Sequence, residues 1–299
     1  MSRIHDALKR AEQERAIQQG TTGELASGQP ELEPPVSMPP PAFSAAGPMS
    51  TVNAAFSYET LLARCPQSNW SPDPQSMLFF QDDEDRLGTE AFRTLRSRLY
   101  QIREKLPLKK LMVTSALPKE GKSFVAANLA QVMVRQHGRR ALVIDADLRS
   151  PGMHRHLGTQ QSPGLSDYLL GECDEFAILQ RGSMPDLFFV PAGRTVTSAP
   201  ELLSNGRLKL FLQRVEPLFD WIIMDTPPVI PVADSTLVAN FCDGILMVVR
   251  SNSTPFDLAR RAREEFQDKL LLGVVLNGIQ SEDLPQSHYY YGETQTSPA

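Results

Sequence analysis

The sequence has few cysteines and no long hydrophobic run, and each shortage excludes a class of protein. Cys65, Cys173 and Cys242 are widely spaced, form no CxxC pair and have no histidine cluster to complete a metal site. This favours reduced thiols in a cytoplasmic protein. No apolar run approaches the roughly 18 to 20 residues of a membrane-spanning helix, and the start of the chain is too polar for a secretory signal. If the protein works at a membrane, we expect a partner to bring it there.

The sequence also lacks a large excess of charge of one sign. Its 30 Lys and Arg residues face 35 Asp and Glu residues, so the chain is mildly acidic and gives no reason to expect nucleic acid as a partner. At 299 residues with 41% hydrophobic content, the chain is long enough to bury one large core. We therefore predict one globular domain with tails.

The N-terminal part differs in composition from the rest of the chain. Over residues 1–18, Ile4, Leu8 and Ala11 fall on one stripe of a short, highly charged helix, although a frayed charged tail is an equal alternative. The following stretch is rich in Gly, Ser, Pro and Ala and holds almost no large apolar residues. Such a stretch cannot bury enough surface to fold, so we predict a disordered linker over residues 19–60.

From about residue 76 to residue 286, strand-like and helix-like patterns alternate. The strand candidates are near-continuous apolar runs, which are typical of parallel strands covered on both faces. Helical patterns between them, such as 123–136, 207–215 and 255–268, predict a doubly wound α/β domain with a mostly parallel sheet and helices on both faces. Ligands of such sheets bind at the carboxyl ends of the strands. The predicted strands are 111–115, 141–145, 187–191, 221–225, 244–249 and 272–277.

A glycine-lysine-serine turn follows the first predicted strand. A strand, such a turn and then a helix are typical of nucleotide phosphate sites, because loop N–H groups and the helix N-terminus face the anion. The phosphate-loop pattern asks for glycine at the position of Ala116, and the alternative reading is a chance helix cap. We predict that the nucleotide contacts Ala116, Lys119, Glu120, Gly121, Lys122, Ser123 and Phe124.

Acidic residues end two further predicted strands. Asp145 and Asp147 follow one apolar run and Asp225 follows another, so all three reach the sheet edge that carries the loop. Mg²⁺ with a nucleotide needs a hydroxyl and one or two carboxylates from the protein, which Ser123 with Asp147 or Asp225 supplies. Asp145 could then accept a proton from an attacking hydroxyl or water. For any single acid, the alternatives are a helix cap or an ion pair with Arg149.

Three segments carry a family resemblance. Residues 116–123 resemble a Walker A motif, residues 142–149 resemble a Walker A′ motif, and residues 222–228 are similar to the Walker B segment of bacterial tyrosine kinases. These P-loop enzymes of the deviant Walker A type are autokinases associated with capsular and exopolysaccharide synthesis. The resemblance covers about residues 77–291 and implies ATP and Mg²⁺ as cofactors.

The resemblance also implies a division of roles among the catalytic residues. Lys122 would stabilise charge on the transferred phosphoryl group, and Ser123 and Asp147 would ligate Mg²⁺. Asp225 would support the metal through a water molecule, and Asp145 would be the base toward the tyrosine hydroxyl.

Positioning and partition ATPases are the alternative family. They carry a signature lysine directly after the first residue of the loop, where this chain has Leu117, and Lys119 comes two residues too late. A nucleotide-sensing adaptor without kinase activity is the alternative outside the enzymes.

Two smaller matches extend the resemblance to bacterial tyrosine kinases. Glu90, Arg93 and Arg96 fit the pattern by which family members assemble into rings, and an ordinary solvated helix face is the alternative. Asn277, at the end of the last predicted strand, resembles the position whose side chain contacts adenine. A strand-end asparagine that caps the loop is the equally simple structural reading.

The predicted disordered tail, residues 287–299, contains three consecutive tyrosines. In the resembled family such a cluster is the autophosphorylation substrate of the next subunit. Tyr289, Tyr290 and Tyr291 are therefore the expected acceptors. The alternative is a tail that packs on the domain or on a partner. The resemblance implies homo-oligomers, a separate integral-membrane polysaccharide co-polymerase as activator, and a cognate tyrosine phosphatase. We expect the protein at the inner face of the plasma membrane, docked through its N-terminal segment.

Overall fold

The computed structural model describes residues 56–65, 67–80 and 88–280. The predicted N-terminal helix, all but the last residues of the predicted linker, and the tyrosines at 289–291 lie outside the described residues. Within the described part, no helix is both long and apolar enough to cross a bilayer.

A seven-stranded sheet forms the centre of the described fold. Its order is β3-β4-β2-β5-β1-β6-β7, and every neighbouring pair is parallel except β3 and β4. All six predicted strands are confirmed, whereas the two-residue β3 was missed because two polar residues carry no strand pattern. The strands are β1 Lys110–Ser115, β2 Ala141–Asp145, β3 Gln180–Arg181, β4 Leu187–Val190, β5 Trp221–Asp225, β6 Gly244–Arg250 and β7 Leu271–Asn277.

Helices cover both faces of this sheet, as predicted. Successive strand residues face opposite sides, so Val143 belongs to the hydrophobic cluster that contains Leu129, whereas Leu142 belongs to a second cluster, which contains Phe211. The helices are α1 Tyr58–Arg64, α2 Thr89–Arg103, α3 Lys122–Val134, α4 Met153–Leu157, α5 Leu165–Leu170, α6 Glu175–Ile178, α7 Ala199–Ser204, α8 Arg207–Val215, α9 Asp234–Ala239 and α10 Phe256–Glu264.

The packed part of the chain starts before the predicted domain boundary at residue 76. Ser57 caps α1 by accepting a hydrogen bond from the Thr60 amide, and Leu61 in that helix is fully buried. Trp70 is also buried and packs edge-on against Phe189 of β4. Residues 56–75 therefore contribute to the core of the domain.

Parallel register brings the three predicted acidic strand ends to one edge. β5 lies between β2 and β1, so Asp225 pairs in register with Asp145 on one side and with Val113 on the other. Ser115 ends β1 at the same edge, directly before the glycine-lysine-serine loop. The topology thus collects the loop and the carboxylates at the carboxyl ends of the central strands.

Candidate active site

The loop between β1 and α3 has a backbone that only glycine fits at its last position. Gly121 caps α3 with φ of 96°, a conformation that side-chain-bearing residues rarely adopt. A Cβ atom there would lie 2.0 Å from Nδ2 of Asn277. That amide donates a hydrogen bond of 2.9 Å to the Glu120 carbonyl. Asn277 therefore caps the loop, which is the structural alternative that the sequence offered for this residue.

A second set of contacts fixes the loop from the turn after β6. The Glu120 carboxylate accepts a 2.8 Å hydrogen bond from the Leu117 amide and another from the Thr254 hydroxyl. Arg250 donates to the carbonyl of Lys119 at 3.2 Å. Neither Thr254 nor Arg250 was predicted, because a polar turn after a strand carries no motif that assigns it to a distant loop.

Lys122, the first residue of α3, lies among the predicted carboxylates. Its Nζ is 2.9 Å from Oδ2 of Asp147, 3.7 Å from Oδ1 of Asp225 and 3.5 Å from the Ser123 hydroxyl. Burial alone would lower the pKa of Lys122, but Asp225 and Asp147 outweigh it and raise the pKa. The ammonium is therefore charged and is held at the point where the loop ends and α3 begins.

Asp225 is a buried carboxylate without a hydrogen-bond partner among the described residues. Its side chain is 1% exposed, and burial raises its pKa although Lys122 opposes the shift. Two unsatisfied carboxylate oxygens beside an ammonium and the Ser123 hydroxyl fit a divalent cation, which prefers oxygen ligands. The described residues contain no cluster of three or more His, Cys, Asp or Glu arranged around a metal position. Nucleotide-bound Mg²⁺ needs no such cluster, because water and phosphate oxygens supply the remaining ligands.

Asp145 has a structural task in addition to its predicted catalytic one. One of its oxygens accepts from the Asp147 amide at 3.1 Å, and the other accepts from the amides of Gly152 and Met153 at 3.3 and 3.2 Å. These bonds shape the turn that leads into α4. Burial, followed by the nearby charge of Asp225, raises the pKa of Asp145, which makes this carboxylate a better proton acceptor near neutral pH.

The structural alternatives for the acids have different outcomes. The helix-cap alternative holds for Asp145, as its bonds to the start of α4 show. The ion-pair alternative for Arg149 is wrong for all three predicted acids, because the guanidinium pairs in a bidentate manner with Asp234 at 2.6 and 3.1 Å. Asp234 begins α9, so this pair ties the turn after Asp147 to the segment after Asp225.

The three predicted oligomer contacts lie on α2. Glu90 is 76% exposed and forms an ion pair with Arg93, three residues further along the helix. Arg96 donates a 2.9 Å hydrogen bond to the Val132 carbonyl and thereby fastens α2 to α3. Arg96 therefore has an intrachain role that the sequence did not predict.

Comparison with known proteins shows the family. No family model matches the chain. The tyrosine-protein kinase YwqD of Bacillus subtilis is 34% identical over 206 residues, which cover 68% of this chain and 86% of YwqD. The tyrosine-protein kinase Ptk of Acinetobacter johnsonii is 28% identical over 209 residues, and the chain spans only 28% of that longer relative. The chain belongs to the bacterial tyrosine-protein kinases, as its motifs predicted.

Solved structures show the same relationship. The kinase domain of Escherichia coli tyrosine kinase ETK matches with a TM-score of 0.64 and 28% identity, over 71% of this chain and 83% of that domain. The septum site-determining protein MinD from Pyrococcus horikoshii, complexed with Mg-ADP, matches with a TM-score of 0.50 and 18% identity over 60% of this chain and 75% of MinD. That second likeness concerns the fold alone. The predicted P-loop α/β fold is confirmed.

Proposed function

We propose that the protein is an ATP-dependent protein-tyrosine autokinase that phosphorylates Tyr289, Tyr290 and Tyr291 in trans within an oligomer. The observation that carries the proposal is the contact between Lys122 and Asp147 beside the unsatisfied carboxylate of Asp225. The Lys122 ammonium and an Asp225 carboxylate that can bind a cation lie beside the phosphate loop. This arrangement suits phosphoryl transfer, in which positioning and electrostatics supply most of the rate enhancement.

Each site residue has a proposed role. Lys122 and the loop amides of Glu120 and Gly121 hold the phosphates and stabilise charge on the transferred group. Ser123 and Asp147 ligate Mg²⁺, and Asp225 supports it through water. When bound, Mg²⁺ neutralises charge on the phosphate oxygens.

Asp145 is proposed to accept the proton of the attacking tyrosine hydroxyl. Its raised pKa supports this role, and its hydrogen bonds to the Asp147, Gly152 and Met153 amides fix the carboxylate in one orientation. The remaining nucleotide contacts are proposed to come from Ala116, Lys119, Phe124 and Asn277.

The relatives' names support the proposed biological setting. Several matched relatives are called EpsB or CpsD, and one is described as lying in a cps region. We propose that this chain regulates exopolysaccharide or capsule synthesis or export from the cytoplasmic side of the membrane. Its proposed partners are a membrane polysaccharide co-polymerase and a cognate tyrosine phosphatase. A pull-down of the membrane partner with and without residues 1–47 tests docking; equal recovery would remove the idea.

Truncation of the tail separates the kinase from its alternatives. Purified full-length protein and a chain ending at Ser287 are each incubated with Mg²⁺ and ATP labelled at the γ-phosphate. The kinase predicts phosphotyrosine on the full-length protein and its loss on truncation. Release of free phosphate without labelled protein would support a MinD-like ATPase. Nucleotide binding with neither product would support an adaptor.

A further inference from the structure

Glu120 places a buried negative charge within the loop proposed to bind polyphosphate. Glu120 is 3% exposed, and both of its carboxylate oxygens accept hydrogen bonds, one from the Leu117 amide and the other from the Thr254 hydroxyl. Among the described residues, the structure records no ion pair to this carboxylate. The carboxylate is therefore held in position by these two hydrogen bonds and not by an ion pair with a described residue.

The other acids of the site have tasks that Glu120 does not share. Asp147 contacts the Lys122 ammonium and Asp225 approaches it, and both are proposed to support a metal ion. Asp145 binds backbone amides. Three acids already surround one lysine, so a further acid in the loop makes the site more repulsive to an anion.

We propose that Glu120 sets the nucleotide affinity of the site by two opposed effects. Its hydrogen bonds hold the loop in the shape that presents amides to phosphate, and its charge repels the same phosphates. The repulsion keeps ADP binding weak, so that product leaves quickly after transfer. This inference rests on the proposed function, because it requires the loop to bind nucleotide.

The two effects can be separated by substitution. In Glu120→Gln, the amide oxygen can still accept from Leu117 and the amide group can still donate to Thr254. The hydroxyl of Thr254 has a lone pair free for this bond, although it already accepts from the Arg250 amide at 3.1 Å. The loop therefore keeps its shape and loses its charge. Glu120→Ala loses both bonds, and Thr254→Val loses one bond but keeps the charge.

The test is calorimetric titration of the purified full-length protein with ADP, without and with Mg²⁺. We expect Glu120→Gln to bind ADP about three- to tenfold more tightly than wild type. This estimate takes a unit repulsion over about 10 Å at an effective dielectric constant near 20, reduced by ionic screening. Glu120→Ala and Thr254→Val should bind more weakly. A purely structural role would instead weaken binding in Glu120→Ala and Thr254→Val and leave binding by Glu120→Gln unchanged.

A matched control removes the same charge far from the loop. Glu104, which follows α2 and lies near the amino end of β1, is exposed, so Glu104→Gln should leave ADP affinity unchanged. Thermal unfolding of each variant verifies that the domain is folded. If wild type binds ADP and Glu120→Gln binds it no more tightly, the inference is overturned and the proposed function stands. If wild type binds no nucleotide at all, both are overturned.

Discussion

Substitution of Gly121 by alanine tests whether the loop depends on the close approach of Asn277. Alanine at a left-handed position costs about 1–2 kcal/mol. The new Cβ would also lie 2.0 Å from Nδ2 of Asn277, so that amide must move and lose its bond to Glu120. The lost bond costs about 1 kcal/mol and the overpacking at least about 1 kcal/mol more. We expect Gly121→Ala to lower the free energy of unfolding by about 3–4 kcal/mol.

A second glycine provides the matched control. Gly206 caps α8 with φ of 83°, and a Cβ there would meet no atom of the described residues within 4 Å. Gly206→Ala should therefore show the backbone cost alone, about 1–2 kcal/mol. The difference between the two losses of unfolding free energy therefore gives the cost of the clash with Asn277.

Urea denaturation of the nucleotide-free protein measures these free energies, and a double-mutant cycle identifies the contact. Because Asn277→Ala removes the clashing amide, Gly121→Ala should cost about 1–2 kcal/mol less in that background than in wild type. Nucleotide affinity should fall in Gly121→Ala and not in Gly206→Ala. Equal costs for both glycines, or strict additivity in the cycle, would refute the reasoning.

Three further predictions concern Asp225 and helix α2. Burial raises the pKa of Asp225 to about 6, above its unfolded value, so wild-type stability should fall as pH rises through that pKa. Asp225→Asn should stabilise the nucleotide-free domain by about 1–3 kcal/mol at pH 8 but not at pH 4. The same substitution should abolish stabilisation by Mg-ATP. Urea titrations at both pH values, without and with Mg-ATP, measure both effects. Arg96→Ala should cost about 1 kcal/mol of stability, because it frees the Val132 carbonyl. Arg93→Ala should mainly weaken self-association in sedimentation velocity; an unchanged oligomer would oppose the proposed ring contact.

The sequence predicted the sheet because continuous apolar runs on central parallel strands leave little ambiguity. The runs that end at Asp145 and Asp225 form strands with those bounds. Since parallel strands end at one edge, the same pattern also predicted that the acids would reach the edge that carries the loop. Both inferences use local patterns and one rule of topology.

Contacts between distant segments could not be predicted in this way. Thr254 reaches Glu120 across 134 residues, and Arg149 reaches Asp234 across 85 residues, without any spacing rule that connects them. The cap that Asp145 provides depends on how the following turn folds back on it. Side chains that fix loops to one another are chosen by the tertiary fold, so the structure is needed to find them.

The most direct test of the central claim is phosphotyrosine formation by a Lys122→Met variant. Lys209→Met is the control, because Lys209 is exposed on α8 and has no place in the site. Wild type and Lys209→Met should label their own tyrosines from Mg-ATP. Lys122→Met should stay folded by circular dichroism and carry no label. Self-labelling by Lys122→Met, or phosphotyrosine absent from all three proteins, would contradict the account.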